Sequence, residues 1–101
     1  MSAYAALDDR IATLTAMRVA AQAFQRAFDF TEVEVRKQWD EFAVDVVAHT
    51  PAGPLFVSVD CDRIRVVDDK GATLFRREGL DDGVVAAALA QMAKHTGEVK
   101  R

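Results

Sequence analysis

Residues 31–47, TEVEVRKQWDEFAVDVV, carry the reading on which the fold turns. Val33 and Val35 alternate with Glu32, Glu34 and Arg36, the period of two that a half-buried strand shows. The same segment also fits a helix: Thr31 with Glu34 makes a capping box, and Val35, Trp39, Phe42 and Val46 fall at helical spacing. Val33, Val35, Val44, Val46 and Val47 tip the choice toward strand. A side chain branched at Cβ sits more freely on a pleated surface than against a preceding helical turn. The expectation is therefore strand, with 31–41 open to the helical alternative.

Downstream the pattern is a meander. Residues 42–49 form a strand, Thr50, Pro51, Ala52, Gly53 and Pro54 a turn, and 55–60 its partner. A second hairpin pairs 63–67 with 73–77 across Asp68, Asp69, Lys70 and Gly71. Connections this short exclude parallel crossovers, so the sheet is antiparallel, of four to five strands. Asp81 or Asp82 caps a last helix with the stripe Val84 or Val85, Ala88, Leu89 and Met92, closed by Lys94, His95 and Gly97; 98–101 is a frayed tail.

Upstream, Tyr4, Leu7, Ile11, Leu14, Met17, Ala21, Phe24 and Phe28 recur every three or four residues, one apolar face of a long helix. Ser2 is its expected cap, Asp8 and Asp9 lie toward its positive end and Arg18 and Arg26 toward its negative end, and Asp29, Phe30 and Thr31 break the pattern. A helix of 25 residues is about 37 Å long, whereas a domain of 100 residues is about 26 Å across. Either the helix wraps the whole domain or part of its stripe meets another subunit. The expected fold class is α+β: a long N-terminal helix, an antiparallel meander and a C-terminal helix, in one domain over 1–101.

The chain of 101 residues is half apolar, with a net charge of -3 and 29% charged residues, as in an ordinary globular domain. No apolar run reaches the 18 to 20 residues of a membrane span, the longest being 84–90, and the N-terminus lacks the pattern of a secretory signal. A cytoplasmic, membrane-free protein is expected. Cys61 is the one cysteine, which excludes a disulfide framework. Nine Arg against four Lys and no Asn point to a GC-rich, bacterial or phage source.

A loop at 51–54 pairs His49 with Phe56 and puts Phe42, Val44, Val46, Ala48, Val57, Val59 and Cys61 on one, apolar side. The other side collects Ala43, Asp45, Val47, His49, Phe56, Ser58, Asp60 and Asp62. In the next hairpin Ile64, Val66, Thr73 and Phe75 point inward, and Arg63, Arg65, Val67, Ala72, Leu74 and Arg76 outward. Two arrangements follow. In one, a helix covers Val47, Phe56, Val67 and Leu74 while Asp60 and Asp62 pair with Arg63, Arg65 or Arg76. In the other, both helices lie on the core side and the outer face is a recognition or dimer surface.

Little points to catalysis. Cys61 with His49 or His95 could supply a nucleophile and base, but its inward direction makes it a buried, inert thiol, and three scattered residues do not suggest a tetrahedral metal site. Of the pairs Asp60/Asp62, Asp68/Asp69 and Asp81/Asp82, the last two read as a turn and a cap, and none has the calcium-loop pattern. Gly79 and Gly83 flank a helix start where Asp81 and Asp82 repel anions. No cofactor or metal is expected. Arg63, Arg65, Arg76 and Arg77 form the basic cluster that nucleic acid would use, and Trp39 reads as an edge plug or an interface anchor.

The order of elements resembles frataxins, type III secretion chaperones and small nucleoid-associated proteins. It departs from each: Asp8 and Asp9 alone match the frataxin acidic ridge, no middle helix appears between 31 and 77, and the nucleoid-protein meander is shorter. No functional residue is carried over. The expected function is non-enzymatic protein binding by a self-associating, dimeric adaptor, inhibitor or chaperone-like subunit. Its expected contacts are Val47, Phe56, Arg65 and Leu74 and the surplus length of the first helix. Nucleic-acid binding through the arginine strip is the alternative, and a small enzyme or metal-binding protein the third.

Overall fold

A computed structural model describes residues 3–28, 31–38 and 41–96. The expected cap at Ser2, the break at Asp29 and Phe30, Trp39, Gly97 and the tail 98–101 lie outside these residues, as does the side chain of Phe42. The elements run α1 (Ala3–Ala27), β1 (Thr31–Gln38), β2 (Glu41–Thr50), β3 (Gly53–Val59), β4 (Arg63–Val67), β5 (Thr73–Glu78) and α2 (Asp82–Thr96). The fold is α+β. The strands form one antiparallel sheet in the order β1-β2-β3-β4-β5.

Of the ambiguous segment, Thr31–Gln38 is a strand. Val33 stands opposite Val46 and Val35 opposite Val44, so four of the five valines that weighed against a helix pair with one another across β1 and β2.

The β2–β3 hairpin closes two residues tighter than the loop 51–54 implied: Val47, not His49, faces Phe56, and Thr50 faces Gly53. Gly53 takes φ +108°, a conformation open to glycine, and the Thr50 hydroxyl donates to the Gly53 carbonyl. The strand thereby re-enters immediately after Pro51 and Ala52. Side chains alternate with period two, so an even shift leaves every face as expected.

The β4–β5 hairpin shows the same arithmetic in two steps. The Asp68 carboxylate accepts the N–H groups of Lys70 (2.9 Å) and Ala72 (2.8 Å), and the Asp68 N–H donates to the Ala72 carbonyl. This loop is one residue longer than the expected turn, and a β-bulge between Val66 and Val67 absorbs another. Phe75 consequently faces Val66 and Arg76 faces Arg65, on the expected sides. Thr73 does not: it is exposed opposite Val67 rather than inward. Leu74, expected outward, is half-buried and packs against the core.

Both helices lie on one side of the sheet. Met17, Ala20, Ala21 and Phe24 of α1 and Val84, Val85, Ala88 and Met92 of α2 join Val46, Ala48, Leu55, Val57, Val59, Ile64 and Val66 in one buried cluster. The first helix rests mainly on β2 and β3, the second on β4 and β5. Asp81 is the cap of α2, its carboxylate accepting the Val84 N–H at 2.9 Å. At the preceding corner Gly79, at φ +106°, donates its N–H to the Asp62 carbonyl at 2.7 Å and ties the end of β5 to the β3–β4 turn.

Cys61 is exposed, contrary to expectation. The strand β3 ends at Val59, and the Asp60 N–H donates to the Arg63 carbonyl at 2.9 Å. The alternation that would have turned Cys61 inward therefore stops before reaching it. Among the described residues, no helix is long and apolar enough to cross a membrane.

Candidate interaction surface

Among the described residues, no helix covers the outer face of the sheet. One cross-strand row reads Glu34, Asp45, Ser58, Arg65, Arg76, running from acidic at β1 and β2 to basic at β4 and β5. The Ser58 hydroxyl donates to the Asp45 carboxylate at 2.9 Å in its middle. The next row places Val47, Phe56 and Val67 side by side. Phe56 is 42% exposed while the two valines are half-buried. Of the four expected contact residues, Val47 and Phe56 are thus adjacent, Arg65 is exposed one row away, and Leu74 is drawn into core packing.

The expected arginine strip breaks up. Arg63 lies 3.4 Å from the Asp60 carboxylate. Arg77 faces Ile64 on the helix side, its guanidinium 5.5 Å from the centre of the Phe75 ring. Arg65 and Arg76 remain, exposed and directly opposite one another, with no ion pair among the described residues.

The chemical candidates also separate. His49 is near the β2–β3 turn, Cys61 in the β3–β4 turn at the other end of β3, and His95 in the last turn of α2. Among the described residues, no group of three or more His, Cys, Asp or Glu could hold a metal ion. At the start of α2 the Asp81 carboxylate occupies the donor that an anion would use. Asp68 ionises below the usual aspartate value of 3.8, because the Ala72 N–H and then the Lys70 N–H stabilise its carboxylate, with His95 and Lys70 adding attraction.

A larger apolar surface lies on the helix side, at the β1 edge. Every residue from Tyr4 to Ala12 is exposed, so the first third of α1 contributes no buried residue to the core. Tyr4, Leu7, Ile11 and Leu14 nevertheless follow the 3-4-3 spacing of a coiled-coil seam, with Tyr4 78% and Ile11 52% exposed. The molecule is accordingly 50 Å long with a radius of gyration of 14.3 Å, above the about 13 Å of a compact chain this size. Beside α1, Val33 and Val35 (63% exposed) project on the helix side of β1 and are only partly covered. Together with Leu14, Met17, Ala21 and Val44 they line a groove of ≈ 390 Å³.

The groove residues Val33 and Val35 were legible as strand residues and missed as a surface. The signal available was the length of the first helix, whose surplus had to meet something. Compared with known protein families, with curated proteins and with solved structures, the chain matches none.

Proposed function

We propose that this chain is a non-enzymatic protein-binding module that associates with itself. The observation that carries this reading is one continuous surface of six exposed apolar side chains, Tyr4, Leu7, Ile11 and Leu14 on α1 and Val33 and Val35 on β1. Isolated exposed leucines are ordinary, whereas a stripe running into an apolar groove is what a partner covers. The polarised outer face around Phe56 is a second, smaller surface on the far side of the sheet, available to a further protein after self-association.

Light scattering on a sizing column, across protein concentration, tests the reading. A mass near twice 11.1 kDa that dissociates on dilution is expected; a monomer at every concentration, up to about 1 mM, overturns self-association.

One observation favours a second reading. Arg65 and Arg76 stand as cross-strand neighbours of like charge, an arrangement that costs energy until an anion bridges it. Nucleic-acid phosphate would serve, and its signature is affinity that falls steeply with salt and vanishes on reversing both charges.

A further inference from the structure

We infer that the groove over β1 is filled by residues 4–14 of a second copy, laid antiparallel to α1 about a two-fold axis near Thr13 and Leu14. The inference rests on the self-association reading and adds its geometry.

The sheet is one helix short. Five strands spaced about 4.8 Å apart span roughly 19 Å, and helices packed on a common face lie 8–10 Å apart, so each covers about two strands. The helix α1 rests mainly on β2 and reaches β3 and β1 only lightly, and α2 takes β4 and β5. The helix side of β1 is left only partly covered, with Val33 46% and Val35 63% exposed. The helical segment 4–12 is exposed throughout and presents the large apolar side chains Tyr4, Leu7 and Ile11. It cannot turn back onto its own β1, because α1 is a single continuous helix from Ala3 to Ala27. A second copy can supply it.

Length and charge agree with the antiparallel arrangement. The exposed segment 4–12 and the part of α1 that flanks the groove, from Leu14 to Gln25, are each about three turns long. A two-fold axis between them lets each copy's exposed segment fill the other's groove at once, the self-complementary contact that closed dimers use. The exposed segment carries Asp8, Asp9 and Arg10, whereas the remainder of the helix carries Arg18 and Arg26 and no acid. Antiparallel pairing brings Asp8 and Asp9 level with Arg18 of the second copy and opposes the two helix dipoles; parallel pairing would set like charges together.

The test is a pair of distances in the full chain. With Cys61→Ser as background, a spin label is placed at Ala12→Cys or at Ala27→Cys, both on exposed helix positions, and the distance between the two copies is measured by pulsed dipolar spectroscopy alongside the solution mass. Antiparallel pairing predicts Ala12 labels separated along the helix by only about 5 Å, and Ala27 labels by about 40 Å, from 1.5 Å of rise per residue. A dimer in which both pairs are equally close is parallel and overturns the geometry while leaving self-association standing. So does a dimer in which the Ala12 labels are far apart, which would seat the interface elsewhere. A monomer overturns both readings. A second variant checks the groove: Val35→Lys is expected to weaken dimerisation at least tenfold without loss of helical circular dichroism, and an unchanged dissociation constant would remove β1 from the interface.

Discussion

Two alanine substitutions on α1 distinguish what one copy needs from what two copies need. Phe24 is 0% exposed, at the centre of the core between α1 and the sheet. Its truncation removes a whole aromatic side chain from a packed site and is expected to cost about 3–5 kcal/mol, a large share of the about 5–15 kcal/mol that holds a domain of this size folded. Ile11 lies six residues, just under two turns, before the first buried residue, Met17, and is 52% exposed. In a single copy Ile11→Ala should change stability by no more than about 0.5 kcal/mol, since little packing is lost and alanine is the better helix former.

In a dimer the exposed half of Ile11 becomes buried. Complete burial of an isoleucine is worth about 1.5–3 kcal/mol, so the missing half contributes about 1 kcal/mol per copy. Two copies give about 2 kcal/mol, a roughly thirtyfold rise in dissociation constant. Sedimentation equilibrium reads the constant, and urea unfolding at several protein concentrations reads the stability. If Ile11→Ala lost about 2 kcal/mol or more at a concentration where only monomer exists, Ile11 would pack inside one copy and the reasoning would fail. An unchanged dissociation constant in a dimer would take the stripe out of the interface.

Asp81→Ala removes the cap of α2 and should cost about 0.5–2 kcal/mol, read by thermal unfolding, with Asp81→Ser restoring most of it. Gly79→Ala meets both a left-handed backbone at φ +106° and the Val84 Cγ2 atom 3.3 Å from the new Cβ; a loss of about 1–3 kcal/mol is expected, and a neutral result would show that the corner can relax. Asp68 ionises below 3.8, so its contribution is present in full above that pH and is lost as pH falls through its lower folded-state value. The melting-temperature deficit of Asp68→Ala should accordingly be constant near neutrality and shrink in acid below pH 3.8; a deficit that persists unchanged there would count against the ionised carboxylate as its source.

The order of elements was legible because each signal was local. Alternation placed the strands, Pro51 with Gly53 and the run Asp68–Gly71 placed the turns, and the three-and-four spacing placed the helices. Register was less so. It depended on how Gly53 re-enters β3 and on how many backbone N–H groups the Asp68 carboxylate gathers, neither of which a residue pattern encodes. Most faces survived because both corrections were of two residues; parity failed beside the bulge, where Thr73 is exposed and Leu74 packs against the core. Cys61 was misplaced by the same logic, through extending alternation two residues past the end of β3. The surface at β1 was hidden for a different reason. A helical stripe reveals which side of a helix is apolar, and not which strands that side will rest upon, so the exposed Val33 and Val35 emerge only once α1 is seen over β2 and β3.

The sequential strand order has a consequence for how the chain reaches this structure. Every strand hydrogen-bonds only to its neighbours in the chain, so each hairpin closes over a loop of a few residues and pays little loop entropy. The sequence-distant encounter is that of α1 with α2, which brings together opposite ends of the chain. Folding should therefore begin with rapid zipping of adjacent strands and finish with the joining of the two helices, a low-contact-order route fast for a sheet of five strands. If the first third of α1 finds its partner only in another molecule, refolding will show a last phase whose rate rises with protein concentration, after every unimolecular step is complete.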